Sequence, residues 1–281
     1  MRKINKKEIK MKKNNLKKLF MLLLTAVLAL ALVSCGKKEE EEQPKDLLEQ
    51  IKERGYITIA TEGEWSPWTY HDETGKLTGY DVELGTLIAQ KLGVEARFEE
   101  TAWDAILAGV DSGRFDIACN GVGWTADRAE KYSFSDPYLY TTAVLMVKGD
   151  NTDITCFEDL EGKVTANSVG STYASIGESY GATVQNVDTL DQTMDLLLQG
   201  RIDATINARV SYNDYMAAHP DADVKIVDEA DTDKTCIPVR MADDTKTLVE
   251  AINKALKEII EDGTLGQLSI KYFGADMTKI G

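Results

Sequence analysis

From residue 46 onward, short apolar runs alternate with stretches in which apolar residues recur every three or four positions. Runs rich in β-branched and apolar side chains predict strands over 56–60, 94–98, 115–119, 143–147, 163–166, 183–186, 202–206, 224–226 and 236–240. The helical period predicts helices over 80–92, 103–112, 189–199 and 208–218. The tail, 244–273, reads as two helices broken at Asp262-Gly263, the first with Leu248, Ile252, Ala255, Leu256 and Ile259 on one face. Strand and helix in alternation is the signature of an α/β fold built from βαβ units. The alternation breaks at Asp136-Pro137-Tyr138, where a long strand over 141–148 follows without a long helix after it; the chain is expected to cross there into a second lobe.

The first 35 residues follow another pattern: 1–18 are strongly basic, 19–33 are almost wholly apolar, and the run ends in Leu32-Val33-Ser34-Cys35. An apolar run of about 15 residues is short for a membrane span, which needs about 20, and has the length of a secretory signal. Small residues before Cys35 fit a lipoprotein signal peptidase, which would leave Cys35 as a diacylated N-terminus. An uncleaved anchor is the alternative, and Met11 is an alternative start. Residues 36–45 are charged, hold no apolar residue and read as a solvated tether holding the globular part off a membrane. The roughly 235 residues beyond suffice for two lobes.

Residues 1–35 carry nine of the 32 Lys and Arg and one of the 47 Asp and Glu, so the remainder has a net charge of −23. Such a surface repels phosphate backbones, and no basic stripe survives in it, which excludes nucleic-acid binding. Cys119, Cys156 and Cys236 form no CxxC or Cys/His metal pattern. Cys119 falls in a predicted core strand as a small hydrophobe. An exported compartment permits a Cys156–Cys236 disulfide, which the sequence alone does not place.

Candidate chemistry begins at residues 116–128, where a buried strand runs through a glycine-loosened turn to Thr125 and Arg128. Free N–H groups at a helix start favour an anion, and a guanidinium in the same turn adds a bidentate pair, so the segment reads as a carboxylate receptor. A cation in a first turn opposes the helix dipole unless an anion is present. The alternative is a plain surface Arg after an ordinary cap. Gly177-Glu178-Ser179-Tyr180-Gly181 matches G-x-S-x-G, with His219 downstream, but a helical run precedes the Ser and a strand follows, the reverse of a nucleophile elbow.

Thr61-Glu62-Gly63-Glu64-Trp65-Ser66-Pro67-Trp68, Gly75 to Leu84, Trp103-Asp104, Thr125 to Arg128 and Phe134-Ser135-Asp136-Pro137-Tyr138 resemble, in order and spacing, the bacterial extracellular solute-binding proteins that feed polar amino acids to ABC importers. The resemblance continues through Gly162-Lys163, 200–204 and 262–265 to Lys271-Tyr272-Phe273-Gly274, and 150–154, 204–207 and 212–215 look closest to the cystine-binding branch. It implies an α/β, two-lobed periplasmic-binding-protein clamshell (type II), each lobe a mostly parallel sheet flanked by helices. One lobe would comprise 46–140 and 236–281, the other 141–235, with ligand in the cleft between.

Carried over by position, Arg128 would clamp the ligand carboxylate, helped by Thr125 and the backbone of Asn120, Gly121 and Gly123. Gly170, Ser171 and Thr172 would donate to the same carboxylate. Trp65 and Trp103 would sandwich the ligand side chain, and Asn207 belongs to the same set. Trp68 is expected in the core and Asp81 as a helix cap. Two departures bear on the ligand. Gly123 replaces a usual Ser, and Ala208 followed by Arg209 stands where an Asp normally neutralises an α-ammonium. Glu64 is a candidate replacement; otherwise the ligand is a carboxylate lacking an α-amine, or an amino acid held differently. The implied protein is a monomeric, lipid-anchored receptor on the extracytoplasmic side of the membrane. Its partners would be a permease and ATPase, and it would need no cofactor or metal. It would not be an enzyme, the alternative being a dehydratase on the same fold.

Overall fold

Residues 45–279 are described in the computed structural model; the expected leader, Cys35 and the tether through Pro44 lie outside them. Asp46 caps α1 (Leu47–Arg54) by accepting the Leu48 and Glu49 amides, and Gly55 ends it in the left-handed conformation. β1 (Tyr56–Thr61) leads into the small meander β2 (Glu64–Trp65), β3 (Thr69–His71) and β4 (Leu77–Thr78). Then come α2 (Tyr80–Leu92), β5 (Glu95–Glu100), α3 (Trp103–Asp111), β6 (Ile117–Ala118), the single turn α4 (Ala126–Ala129) and β7 (Tyr132–Phe134). The long β8 (Leu139–Lys148) starts the second lobe, which continues through β9 (Val164–Asn167), α5 (Thr172–Ser179), β10 (Thr183–Asn186), α6 (Leu190–Leu198), β11 (Thr205–Ala208), α7 (Arg209–Ala218) and β12 (Val224–Thr235). β13 (Pro238–Arg240), α8 (Lys246–Glu261) and α9 (Thr264–Phe273) return to the first lobe.

The first sheet has the order β5-β1-β6-β13-β7, parallel from β5 to β6 and antiparallel across the returning β13. In the second, parallel β9 and β10 connect through a Thr165–Ala204 bridge to the antiparallel set β11-β8-β12. The two halves therefore repeat one α/β plan. β12 is far longer than the 224–226 predicted. β12 is an edge strand, acidic from Asp228 to Asp233, with two register shifts against β8, and charged edge strands carry no alternating apolar signal.

Ile57, Ile59, Leu84, Ile88, Ile117 and Val239 form the first core, sealed by the predicted Leu248, Ile252, Ala255, Leu256 and Ile259 face of α8. Each such side chain contributes about 1.5–3 kcal/mol on full burial. Val144, Met146, Ala166, Met194 and Leu197 form the centre of the second. Trp68 is fully buried, as expected. Cys119, Cys156 and Cys236 are free thiols, so the bridge that the sequence permitted is not formed.

Candidate functional site

The loops after the parallel strands of both sheets converge on one cavity. Glu62, Glu64 and Trp65 enter it after β1, Trp103 after β5 and Gly121 after β6. The second lobe adds Asn167 and Ser168 from the end of β9, Ser171 to Tyr173 from the start of α5, Asp188 to Leu190 and Thr193 from beyond β10, and Asn207 from β11. Ligands in open α/β sheets bind at the carboxyl ends of strands, and this cavity is such a place twice over. Of the predicted residues, Trp65, Trp103, Gly121, Ser171, Thr172 and Asn207 line it.

Gly121 has φ +58°, and a Cβ there would come within 2.6 Å of Trp65, so the ring packs on bare backbone. Trp65 in turn stacks on Trp68 with centroids 5.1 Å apart. The Gly121 N–H is not available to a ligand, because it donates to Asp81. This also corrects the expected cap. The cap of α2 is Gly79, while Asp81 is fully buried and accepts from Gly121 N and from Tyr138 Oη at 2.9 Å. Burial pushes Asp81 up to about 7, against those two hydrogen bonds. Asn120 likewise turns inward: its Nδ2 donates to Glu62 Oε2 at 2.6 Å and its Oδ1 accepts the Glu62 amide at 2.8 Å. Burial, opposed by the Asn120 bond and assisted by Glu64, raises Glu62 to about 7.

Arg128 stands beside the cavity, its guanidinium 5.5 Å from the Trp103 ring centre. Nη1 donates to the Gly123 carbonyl at 2.7 Å and Nη2 to the Gly170 carbonyl of the second lobe at 2.9 Å. Gly170 thus contributes its carbonyl as an acceptor to the Arg. Burial lowers the Arg128 pKa, against the influence of Tyr173, Tyr132 and Asp233. No ion pair forms to it among the described residues. The dipole argument for this position fails, since α4 is one turn, and Thr125 Oγ1 serves as its cap by accepting Arg128 N at 3.2 Å.

The Ser171 amide donates to Ser168 O at 3.1 Å and its hydroxyl accepts Ala174 N at 3.1 Å, which leaves the hydroxyl proton as the donor Ser171 can offer. Thr172 faces Gly123, where an added Cβ would meet its methyl at 3.3 Å. A second cross-lobe contact joins Trp68 Nε1 to Ser211 Oγ at 3.2 Å. Trp124 is 43% exposed and lies outside the cavity, with Lys234 over its ring. Ser179 ends α5, exposed, its hydroxyl donating to Ile176 O, which is no nucleophile elbow.

Sequence reasoning missed Glu62, Asn167, Ser168, Tyr173, Asp188, Thr189, Leu190 and Thr193 as lining residues. Glu62, Asn167 and Asp188 all sit within two residues of a strand's C-terminal end, and that rule would have found them.

Residues 57–275 match the bacterial extracellular solute-binding proteins, family 3. L-cystine-binding protein TcyA of Bacillus subtilis is 40% identical over 94% of this chain and all of its own length. An ancestral arginine-binding protein bound to arginine superimposes with a TM-score of 0.73 at 34% identity, over 79% of this chain and 99% of its own. The L-cystine solute receptor of Neisseria gonorrhoeae, in its unliganded open conformation, gives 0.57 at 37% identity, over 84% and 100%.

Proposed function

The chain belongs to family 3 of the bacterial extracellular solute-binding proteins, and on that premise we propose that it captures a polar amino acid, cystine first among the candidates, for an ABC importer. The ligand carboxylate would be held by Arg128 and the Thr172 amide, and its side chain between Trp65 and Trp103. The observation that carries this is Arg128 itself: a half-buried cation joining the two lobes through carbonyl acceptors and, among the described residues, in no ion pair. A guanidinium has five N–H donors; with two engaged, three remain for a bidentate carboxylate. Glu62, Glu64 and Asp188 line the cavity and supply negative charge, so the site complements a dipolar ligand.

The cross-lobe bonds from Arg128 and Trp68 support a closed clamshell. So does the better superposition on an arginine-bound relative than on the open receptor of higher identity. A ligand that contacts both lobes shifts the population toward such a form. Diacylation at Cys35 would then tether the protein to the extracytoplasmic face, where it would meet the permease.

A thermal-shift screen of the purified protein against the amino acids, cystine and acids lacking an α-amine tests this. Ligand at a hundred times its Kd stabilises by about 2.7 kcal/mol, a rise of roughly 5–10 °C for a domain of this size. Cystine or another α-amino acid is expected to give that rise. Shifts from amine-free acids alone would overturn the amino-acid assignment.

A further inference from the structure

Ala208 stands where the resemblance expects an acid for the α-ammonium, and it is fully buried in β11. Its neighbour Arg209 is paired with Glu229. An ammonium taken out of water costs several kcal/mol unless acceptors and a counter-charge replace its hydration. The cavity wall contains both.

Asn167 ends β9 with 4% of its surface exposed and lines the cavity beside Asn207. Its Nδ2 donates to the Ile206 carbonyl at 2.7 Å, which fixes the amide's orientation, since a flipped amide would set oxygen against oxygen. Its Oδ1 is then buried with no hydrogen-bond partner. Such an atom has lost its hydration without replacement, and only a donor can satisfy it. Asn207 does not, and its own Oδ1 accepts the Ala208 amide at 2.8 Å. The counter-charge is Glu62, held in the first-lobe wall by Asn120. Among the described residues no Lys, Arg or His lines the cavity to compete for it.

We propose that Asn167 Oδ1 accepts the ligand's α-ammonium, with Glu62 as the opposing charge, and that Asn167 is therefore the residue that selects α-amino acids over acids lacking the amine. The ammonium would link a second-lobe acceptor to a first-lobe carboxylate, so its binding also favours closure. This rests on the proposed function, and the test separates the two.

Isothermal titration of wild type, Asn167→Leu and Asn167→Asp would use L-cystine, L-arginine and L-glutamine, each paired with its counterpart lacking the α-amine (3,3′-dithiodipropionate for cystine). Wild type is expected to prefer the amino member. Asn167→Leu should lose about ten- to hundredfold on that member, as for a hydrogen bond to a charged group, and less than about threefold on the other. Asn167→Asp supplies a carboxylate to the ammonium but loses the donor to the Ile206 carbonyl, so it should keep the preference while binding both members more weakly. If Asn167→Leu does not fold, as judged by its melting transition, Asn167→Ser makes the same comparison. Equal losses on both members in Asn167→Leu or Asn167→Ser, or none on either, would overturn the role of Asn167 alone. A wild type that binds no α-amino acid would overturn the proposed function and this inference with it.

Discussion

Arg128→Ala removes two hydrogen bonds to carbonyls, at 2.7 and 2.9 Å, and the stacking over Trp103. If the guanidinium clamps a carboxylate, the larger loss appears only with ligand bound. Each charge-assisted bond contributes about 1.5–3 kcal/mol, so a bidentate pair lost even at the lower figure comes to about 3 kcal/mol, roughly 150-fold in Kd. Removing the cation also abolishes its own desolvation cost in the empty protein, which offsets the two lost carbonyl bonds. The melting temperature without ligand should therefore move little while affinity collapses. Arg128→Lys keeps the charge and loses the fork, and should fall between, near tenfold, on the order of one such bond. Titration calorimetry with the best ligand of the thermal screen, alongside unliganded melting curves, reads both quantities. Binding by Arg128→Ala within about threefold of wild type would refute the clamp. A drop in unliganded stability matching the loss in binding would make Arg128 a strut between the lobes instead.

Three further outcomes follow from the same geometry. Because Glu62 is raised to about 7 by burial and an ammonium needs it ionised, affinity for an α-amino acid should fall as pH drops below about 7, toward tenfold per unit; Glu62→Gln should flatten that slope, and an unchanged slope in a pH series of titrations would exclude Glu62. Asp81 is raised from 3.8 to about 7, so the native state holds its proton longer than the unfolded chain and stability falls as pH rises between those values, by at most about 4 kcal/mol; urea unfolding of Asp81→Asn at pH 5 and 8 should show a smaller difference than wild type. Ser211→Ala breaks the 3.2 Å bond from Trp68 across the lobes and should weaken ligand binding about fivefold, a loss of about 1 kcal/mol from the closed form, with the change visible in tryptophan fluorescence on titration.

What could be read from the chain, and what could not, divides along the distance between partners in sequence. The α/β plan was legible because period-two and period-3.6 stretches follow one another, and the α8 face was legible to the residue because all its partners lie in one apolar layer. The family resemblance placed Trp65, Trp103, Gly121 and Thr172 at the ligand, and all four line the cavity. Glu62 and Glu64 are indistinguishable in a linear pattern, two acids two positions apart in one turn. Asn120, 58 residues away, separates them by holding Glu62 into the wall and leaving Glu64 exposed. Asp81 read as a cap for the same reason: its partners, the Gly121 amide and the Tyr138 hydroxyl, lie 40 and 57 residues on. Asn167 is the sharpest case. In sequence it merely extends an apolar strand. Only the pairing of β9 with the chain at Ala204 carries the Ile206 carbonyl to its Nδ2, and so leaves an amide oxygen with nothing to accept. Topology therefore predicts where the cavity rim falls, whereas the polarity of the rim, and with it the ligand's chemistry, is decided by long-range hydrogen bonds that choose which end of each polar group remains unpaired.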